Sequence, residues 1–184
     1  MLTSPKAFKL ESLRLSAKSE FELRGPFPEE AYGRIMQSTK NILDGFYAMR
    51  LVSQKRTVLS EGERALLEFT ADERFQLCQR VCHVLQVLAS CVMLEYPLTD
   101  AIPSIDKNKD RLLGRIYQFR KDHAASRLGG NSNNGSAAVA DEKDYALLYA
   151  YTLVTGQVAA EMDKVKAEIE NLFGILHEES LLLE

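Results

Sequence analysis

A chain of 184 residues, 46% apolar and 27% charged, is long enough to bury a core of its own without a disulfide or metal staple, and its composition is not that of a disordered protein. The net charge of −3 does not indicate a general affinity for nucleic acid, although ten basic residues face six acidic ones over 1–60 and three face ten over 131–184. Cys78, Cys82 and Cys91 are odd in number and lack framework spacing, which suits a reducing compartment.

The amino terminus has neither the apolar core of a signal peptide nor the Arg-rich composition of a transit sequence. The most apolar window, 81–94, is shorter than the roughly 20 residues of a membrane span and contains His83 and Gln86, so the chain is expected not to cross a bilayer.

Apolar residues recur at three and four rather than two, which predicts an all-α protein. A first helix over 7–24 carries Leu10, Leu13, Ala17 and Phe21 on one face and stops at Gly25-Pro26. The stiff elbow Pro26-Phe27-Pro28 leads into a second helix over 29–55, with Glu29 and Glu30 complementing the exposed amides of its first turn. Tyr32, Ile35, Thr39, Ile42, Phe46 and Met49 form its expected inner stripe, and Gly33 and Gly45 mark close approaches of neighbouring helices.

Ser60 and Glu63 read as a capping box that opens a short helix ending near Phe69. The next helix, 72–95, has apolar residues over more than half its circumference, in Leu77, Val81, Leu85, Leu88, Val92, Cys78, Cys82 and Ala89, and is expected to be the most buried. A loop with Pro97 and Pro103 precedes a basic helix over 106–126 whose inner face is Leu112, Ile116, Phe119 and His123. Residues 127–140, rich in Gly, Asn and Ser, have nothing apolar to bury and read as a flexible loop.

The last helix is expected over 141–176, capped by Asp141. A heptad seam of Tyr151, Thr155, Val158, Met162, Val165, Ile169, Leu172 and Leu176 runs along it for roughly 50 Å. The architecture that follows is an antiparallel helical bundle of about five to six helices in a single domain, 1–184, with the long carboxy-terminal helix and the 29–55 helix as staves.

No constellation names a reaction. Cys78 and Cys82 share a helix face, but His83 points about 100° away and no second ligand pair exists, so all three cysteines are read as core and no metal is expected. His123 and His177 neighbour no nucleophile motif, the Gly-rich tract lacks the Gly-Lys-Ser/Thr ending of a phosphate loop, and the Asn134-Gly135-Ser136 sequon is discounted. Catalytic residues, cofactors and metals are therefore none. Two surfaces stand out. Tyr145, Tyr149 and Tyr151 gather hydroxyls that can meet a partner or ligand, against a reading as core. The basic run of Lys107, Lys109, Arg111, Arg115, Arg120 and Lys121 can meet anionic lipid headgroups, against a reading as a solvated face.

Three stretches carry a resemblance: Phe21-Glu22-Leu23-Arg24-Gly25-Pro26-Phe27-Pro28, Tyr32 to Ser38 with Asn41-Ile42-Leu43-Asp44, and Asp144 to Tyr151. They resemble the carboxy-terminal region of the fungal aromatic acid exporter-like membrane proteins, also described as brefeldin A sensitivity-related or putative endoplasmic-reticulum transporters, over roughly residues 8 to 176. The resemblance implies a soluble cytosolic module, on the cytosolic side of the endoplasmic-reticulum or plasma membrane, that packs against, oligomerises or regulates transmembrane segments absent from this chain. It transfers no catalytic residue, and Arg34, within the second stretch, joins the tyrosines as a candidate interaction or ligand surface. Without that family, the chain reads as a free-standing cytoplasmic adaptor or dimerisation module, a homo-oligomer through the heptad seam, and a small-molecule binder with the tyrosines as its pocket is the third class weighed. No nucleic-acid partner is expected.

Overall fold

The computed structural model describes residues 5–19, 27–54, 59–100, 102–128 and 140–177. They form six α-helices: α1 Pro5–Ser19, α2 Glu29–Gln54, α3 Glu61–Phe69, α4 Ala71–Leu94, α5 Asp106–Leu128 and α6 Ala146–Phe173, the last preceded by a 3-10 turn, Glu142–Tyr145. The all-α helical bundle expected from the periodicity is what the chain forms. Residues 129–139, most of the Gly/Asn/Ser-rich 127–140 segment, lie outside the described residues, as do Phe21 and the Gly25-Pro26 stop.

The chain divides into two compact units. One takes Met1–Asp44, Leu85–Ile102 and Ala160–Glu184; the other takes Gly45–Val84 and Pro103–Ala159. Helices α2, α4 and α6 each contribute one stretch to either unit.

In the first unit the buried residues are Ala31, Ile35, Ser38 and Ile42 of α2, Leu88 and Cys91 of α4, Met162, Val165 and Ile169 of α6, and Leu98 after α4. The α2 stripe advances by four and three through small side chains, so Thr39, expected inside, is exposed. Helix α1 does not bury its expected face: Leu10 and Leu13 are both more than half exposed. Its described tie is ionic, since Arg14 Nη1 donates to Glu29 Oε1 at 3.1 Å and Nη2 to Glu11 Oε1 at 2.6 Å.

The carboxy-terminal helix is shorter than its apolar seam. Gly174 takes φ +85, its N–H bonding the Glu170 carbonyl at 2.9 Å, and that left-handed residue ends α6 before Leu176. Ile175–Leu176 (β2) instead pairs in parallel with Leu98–Thr99 (β1), a two-strand element that apolar spacing does not reveal.

In the second unit Leu66, Leu77, Leu112, Ile116 and Val158 are almost fully buried. Ser60 caps α3 by accepting from the Glu63 N–H at 2.9 Å, and its hydroxyl donates to Asp144 Oδ1 at 2.7 Å. The other Asp144 oxygen accepts from the Asp141 N–H at 2.8 Å, closing a capping box at the 3-10 turn, so one buried carboxylate joins two helix starts. Gly62 makes this junction possible, because a Cβ there would stand 2.6 Å from Ala140 Cα and 2.6 Å from Asp144 Oδ2. Gly45 plays a similar part against α6, where a Cβ would stand 2.9 Å from Val158 Cγ2, whereas at Gly33 it would meet the flexible Arg14 guanidinium at 3.4 Å.

Helix α4 departs from its expected role as the most buried element. Only Leu77, Val81, Val84, Leu88 and Cys91 are buried. Cys78 and Cys82, read from the sequence as core, are exposed, as are Phe75, Met93 and Leu94. Its length and a mean hydropathy of 1.5 over 18 residues would allow it to cross a membrane, which the shorter window 81–94 did not indicate; apolar helices of soluble proteins meet the same standard.

Two glycine substitutions should separate close approach from propensity. Gly62→Ala should destabilise the chain by about 2 kcal/mol, because backbone rather than a movable side chain meets the new methyl. Gly114→Ala, with nothing within 4 Å of its Cβ position in α5, should stabilise it by about 1 kcal/mol. Urea denaturation of both variants reads the two signs.

Candidate functional site

The second unit carries an apolar pocket of about 630 Å³, a size suited to a small ligand or to large side chains of a partner. Its walls come from Met49 of α2, Leu67 of α3, Ala71, Asp72, Arg74, Phe75 and Cys78 of α4, and Leu147, Leu148, Ala150, Tyr151 and Val154 of α6. The α4 contributors recur at 71, 74, 75 and 78, one helix face, and the α6 contributors at 147, 150, 151 and 154 do the same. Two amphipathic faces therefore line a space that their own side chains do not fill.

The site offers little chemistry and much apolar surface. Phe75 is 64% exposed at the pocket, and Leu153 and Tyr149, in the same unit, are 66% and 40% exposed. Burial raises the Tyr151 phenol above its ordinary value, and the nearby Cys78 adds to this while Arg74 opposes it. The Cys78 thiol is pushed up by shielding against the pocket wall and then by Cys82, although the residue as a whole is exposed. Both groups stay neutral near pH 7, and a thiol kept protonated is a poor nucleophile. Asp72 and Arg74 are the charged residues in the wall. The Arg74 Nη2 donates to the Leu67 carbonyl at 2.7 Å, while its Nε is shielded from solvent and has no hydrogen-bond partner among the described residues.

The three candidate tyrosines divide. Tyr151 lines the pocket. Tyr145 is 5% exposed and packs edge-on to Phe119 at 6.3 Å, with Phe119 in turn 5.2 Å from Phe69. Tyr149 stacks on Tyr145 at 6.3 Å from its half-exposed position. Burial raises the Tyr145 phenol, opposed by the nearby Arg120.

Arg34 belongs to the first unit and holds structure together there. Its Nε and Nη2 donate to the two Glu168 carboxylate oxygens at 2.6 and 2.9 Å, a two-pronged clamp from α2 to α6. The basic patch also divides. Arg115 lies over the Phe69 ring at 3.9 Å and faces Glu73 at 3.5 Å, and Lys109 is paired with Asp106. Lys107 and Arg111 instead line a second, polar pocket of about 430 Å³.

Phe75, Arg74, Leu147 and Val154 escaped the sequence reading. For Phe75 the signal is the apolar surplus around the 72–95 helix, which is too wide for one buried stripe; Arg74, Leu147 and Val154 carry no comparable signal. Among the described residues no group of three His, Cys, Asp or Glu side chains is placed to hold a metal ion.

The Arg34 clamp fixes a pH dependence. The hydrogen bond from Arg34 holds the Glu168 carboxyl below its ordinary value, so its contribution is complete above the carboxylate's unfolded pKa and is lost as pH falls through the folded one. Glu168→Gln should lower the denaturation midpoint at pH 7, and the difference from the parent should shrink as pH falls below the ordinary carboxylate range and the parent's own carboxylate takes up a proton. Thermal unfolding across that range measures it. Compared with protein-family models, with curated proteins and with solved structures, the chain matches none.

Proposed function

We propose that this chain is a non-catalytic helical docking module whose apolar pocket receives the apolar anchor of a partner helix. The observation that carries the reading is the 630 Å³ pocket beside Phe75, with Leu153 and Tyr149 exposed in the same unit. A docked apolar side chain removes such surface from water at about 25 cal/mol per Å², and the rings supply rigid contact area.

The sequence resemblance names the class of partner. In that reading the anchor belongs to the membrane-spanning part of a transporter-like protein of the aromatic acid exporter-like family, and the module acts on the cytosolic side of the membrane in its assembly or regulation. The chemistry of the pocket agrees with this: the two wall groups that could act as nucleophiles, Tyr151 and Cys78, are held neutral.

A second reading, self-association, draws on the same exposed residues. The α6 seam first expected to pair in trans is engaged within the chain, since Val158, Met162 and Ile169 are at most 1% exposed. Dimerisation would therefore have to use Phe75, Leu153 and their exposed neighbours.

The test supplies the chain in trans to a membrane protein of the resembled family that lacks its own cytosolic helical region. Co-purification of the two in detergent is expected, weakened at least tenfold by Phe75→Asp and by Leu153→Asp while the helical circular dichroism of both variants is retained. No association of the parent chain with the membrane part overturns the transporter reading. A concentration-dependent dimer in sedimentation that Leu153→Asp abolishes would select self-association instead.

A further inference from the structure

The polar pocket in the second unit is built differently from the apolar one. Helix α4 gives Gln76, Gln79, Arg80 and His83, at the i, i+3, i+4 and i+7 positions of a single face. Pro103, Ser104 and the first turns of α5 give the other wall, with Lys107, Asn108 and Arg111. Among the described residues no acidic side chain lines it.

Nearby cations elsewhere on α5 have partners. Lys109 is paired with Asp106, Arg115 with Glu73 and Arg120 with Glu142. Arg80, Lys107 and Arg111 make no ion pair or hydrogen bond among the described residues. Three positive charges on two facing walls repel one another, and the chain as a whole, at −3, supplies no background attraction for anions. What the pocket recognises is therefore local: a compact ligand carrying several negative oxygens, which guanidinium groups can hold in paired hydrogen bonds and the carboxamides can orient.

We propose that this pocket binds a multiply phosphorylated polar group. Its volume, about 430 Å³, admits a phosphorylated sugar-sized ring or a short polyphosphate, and it presents no aromatic face on which a nucleobase could stack. Such a group comes either from a soluble polyphosphate or from the headgroup of a phosphorylated inositol lipid, the chemistry of recognition being the same. The site stands on residues separate from the docking pocket, so each can fail without the other.

The test uses the full chain in two arms. Calorimetric titration with inorganic tripolyphosphate and with inositol trisphosphate reads the soluble ligand. Co-sedimentation with vesicles containing a phosphatidylinositol bisphosphate, against vesicles of matched charge made with phosphatidylserine, reads the lipid. Saturable binding of at least one phosphorylated probe is expected, weakened at least tenfold in the Arg80→Gln, Arg111→Gln double variant and unchanged in Lys121→Gln, an exposed α5 cation outside the pocket. Preference for the inositol-lipid vesicles, displaced by tripolyphosphate, assigns the headgroup; binding of the soluble probes without the vesicles assigns the free anion. Absence of saturable binding in both arms overturns the proposal. Equal binding to both vesicle types without soluble binding, or a double variant that folds and binds as the parent does, overturns it too, because the attraction would then be charge spread over the surface.

Discussion

A helix can bury only the stripe that faces its neighbours, and on α4 that stripe is Leu77, Val81, Val84, Leu88 and Cys91. The spacing of four, three, four and three is that of a single seam. Every further apolar residue on α4 is therefore surplus to the core. Phe75 and Cys78 belong to that surplus, and with the 147–154 face of α6 they line a pocket rather than complete the packing. The functional reading of the second unit grows out of this geometric limit.

The same limit explains what the sequence discloses and what it hides. Periodicity and caps locate the helices well: the second helix was expected over 29–55 and runs Glu29–Gln54, and Ser60 and Asp141 both stand where side-chain oxygens cap exposed amides. The inner face of α5 is likewise legible, because Leu112, Ile116 and Phe119 alternate with charges that have no other place to go. His123, assigned to that face, lies outside the residues whose side chains are described. Faces with mixed chemistry are harder. On α2 the small residues Ala31 and Ser38 take buried places where the apolar spacing pointed to Thr39 and Phe46, while Gly45 makes the close approach expected of it. On α4, excess hydrophobicity looks like deep burial until the neighbours that would cover it are counted.

Polar residues divide by whether they find a partner, which a linear sequence does not reveal. Arg34 and Glu168 are 134 positions apart, yet they form a bidentate pair that makes Arg34 a structural strut. Arg115 spends its charge on a ring and a carboxylate. Within one basic run, then, two residues named together as lipid-facing, Lys109 and Arg115, are engaged by the fold, while Lys107 and Arg111 are left to face Arg80 and His83 across a polar space. A count of basic residues could not separate these groups, because the distinction depends on Asp106, Glu73 and Phe69 lying within reach.

In its first turns α4 performs three tasks on three sides. At 100° per residue, the core positions 77, 81 and 84, the apolar-pocket positions 71, 74, 75 and 78, and the polar-pocket positions 76, 79, 80 and 83 occupy sectors centred roughly 120° apart. This arrangement accounts for the composition of the segment better than burial does: Gln76, Gln79, Arg80 and His83 share one sector, while Arg74 stands among the apolar-pocket positions. It also makes the two pockets mechanically alike, since each has one wall on the same rigid helix and the buried sector fixes the rotation of that helix. Turning α4 to bury Phe75 would carry Val81 out of the core and turn Arg80 and His83 from their pocket together. The exposure of Phe75 is thus the consequence of holding the other two sectors in place.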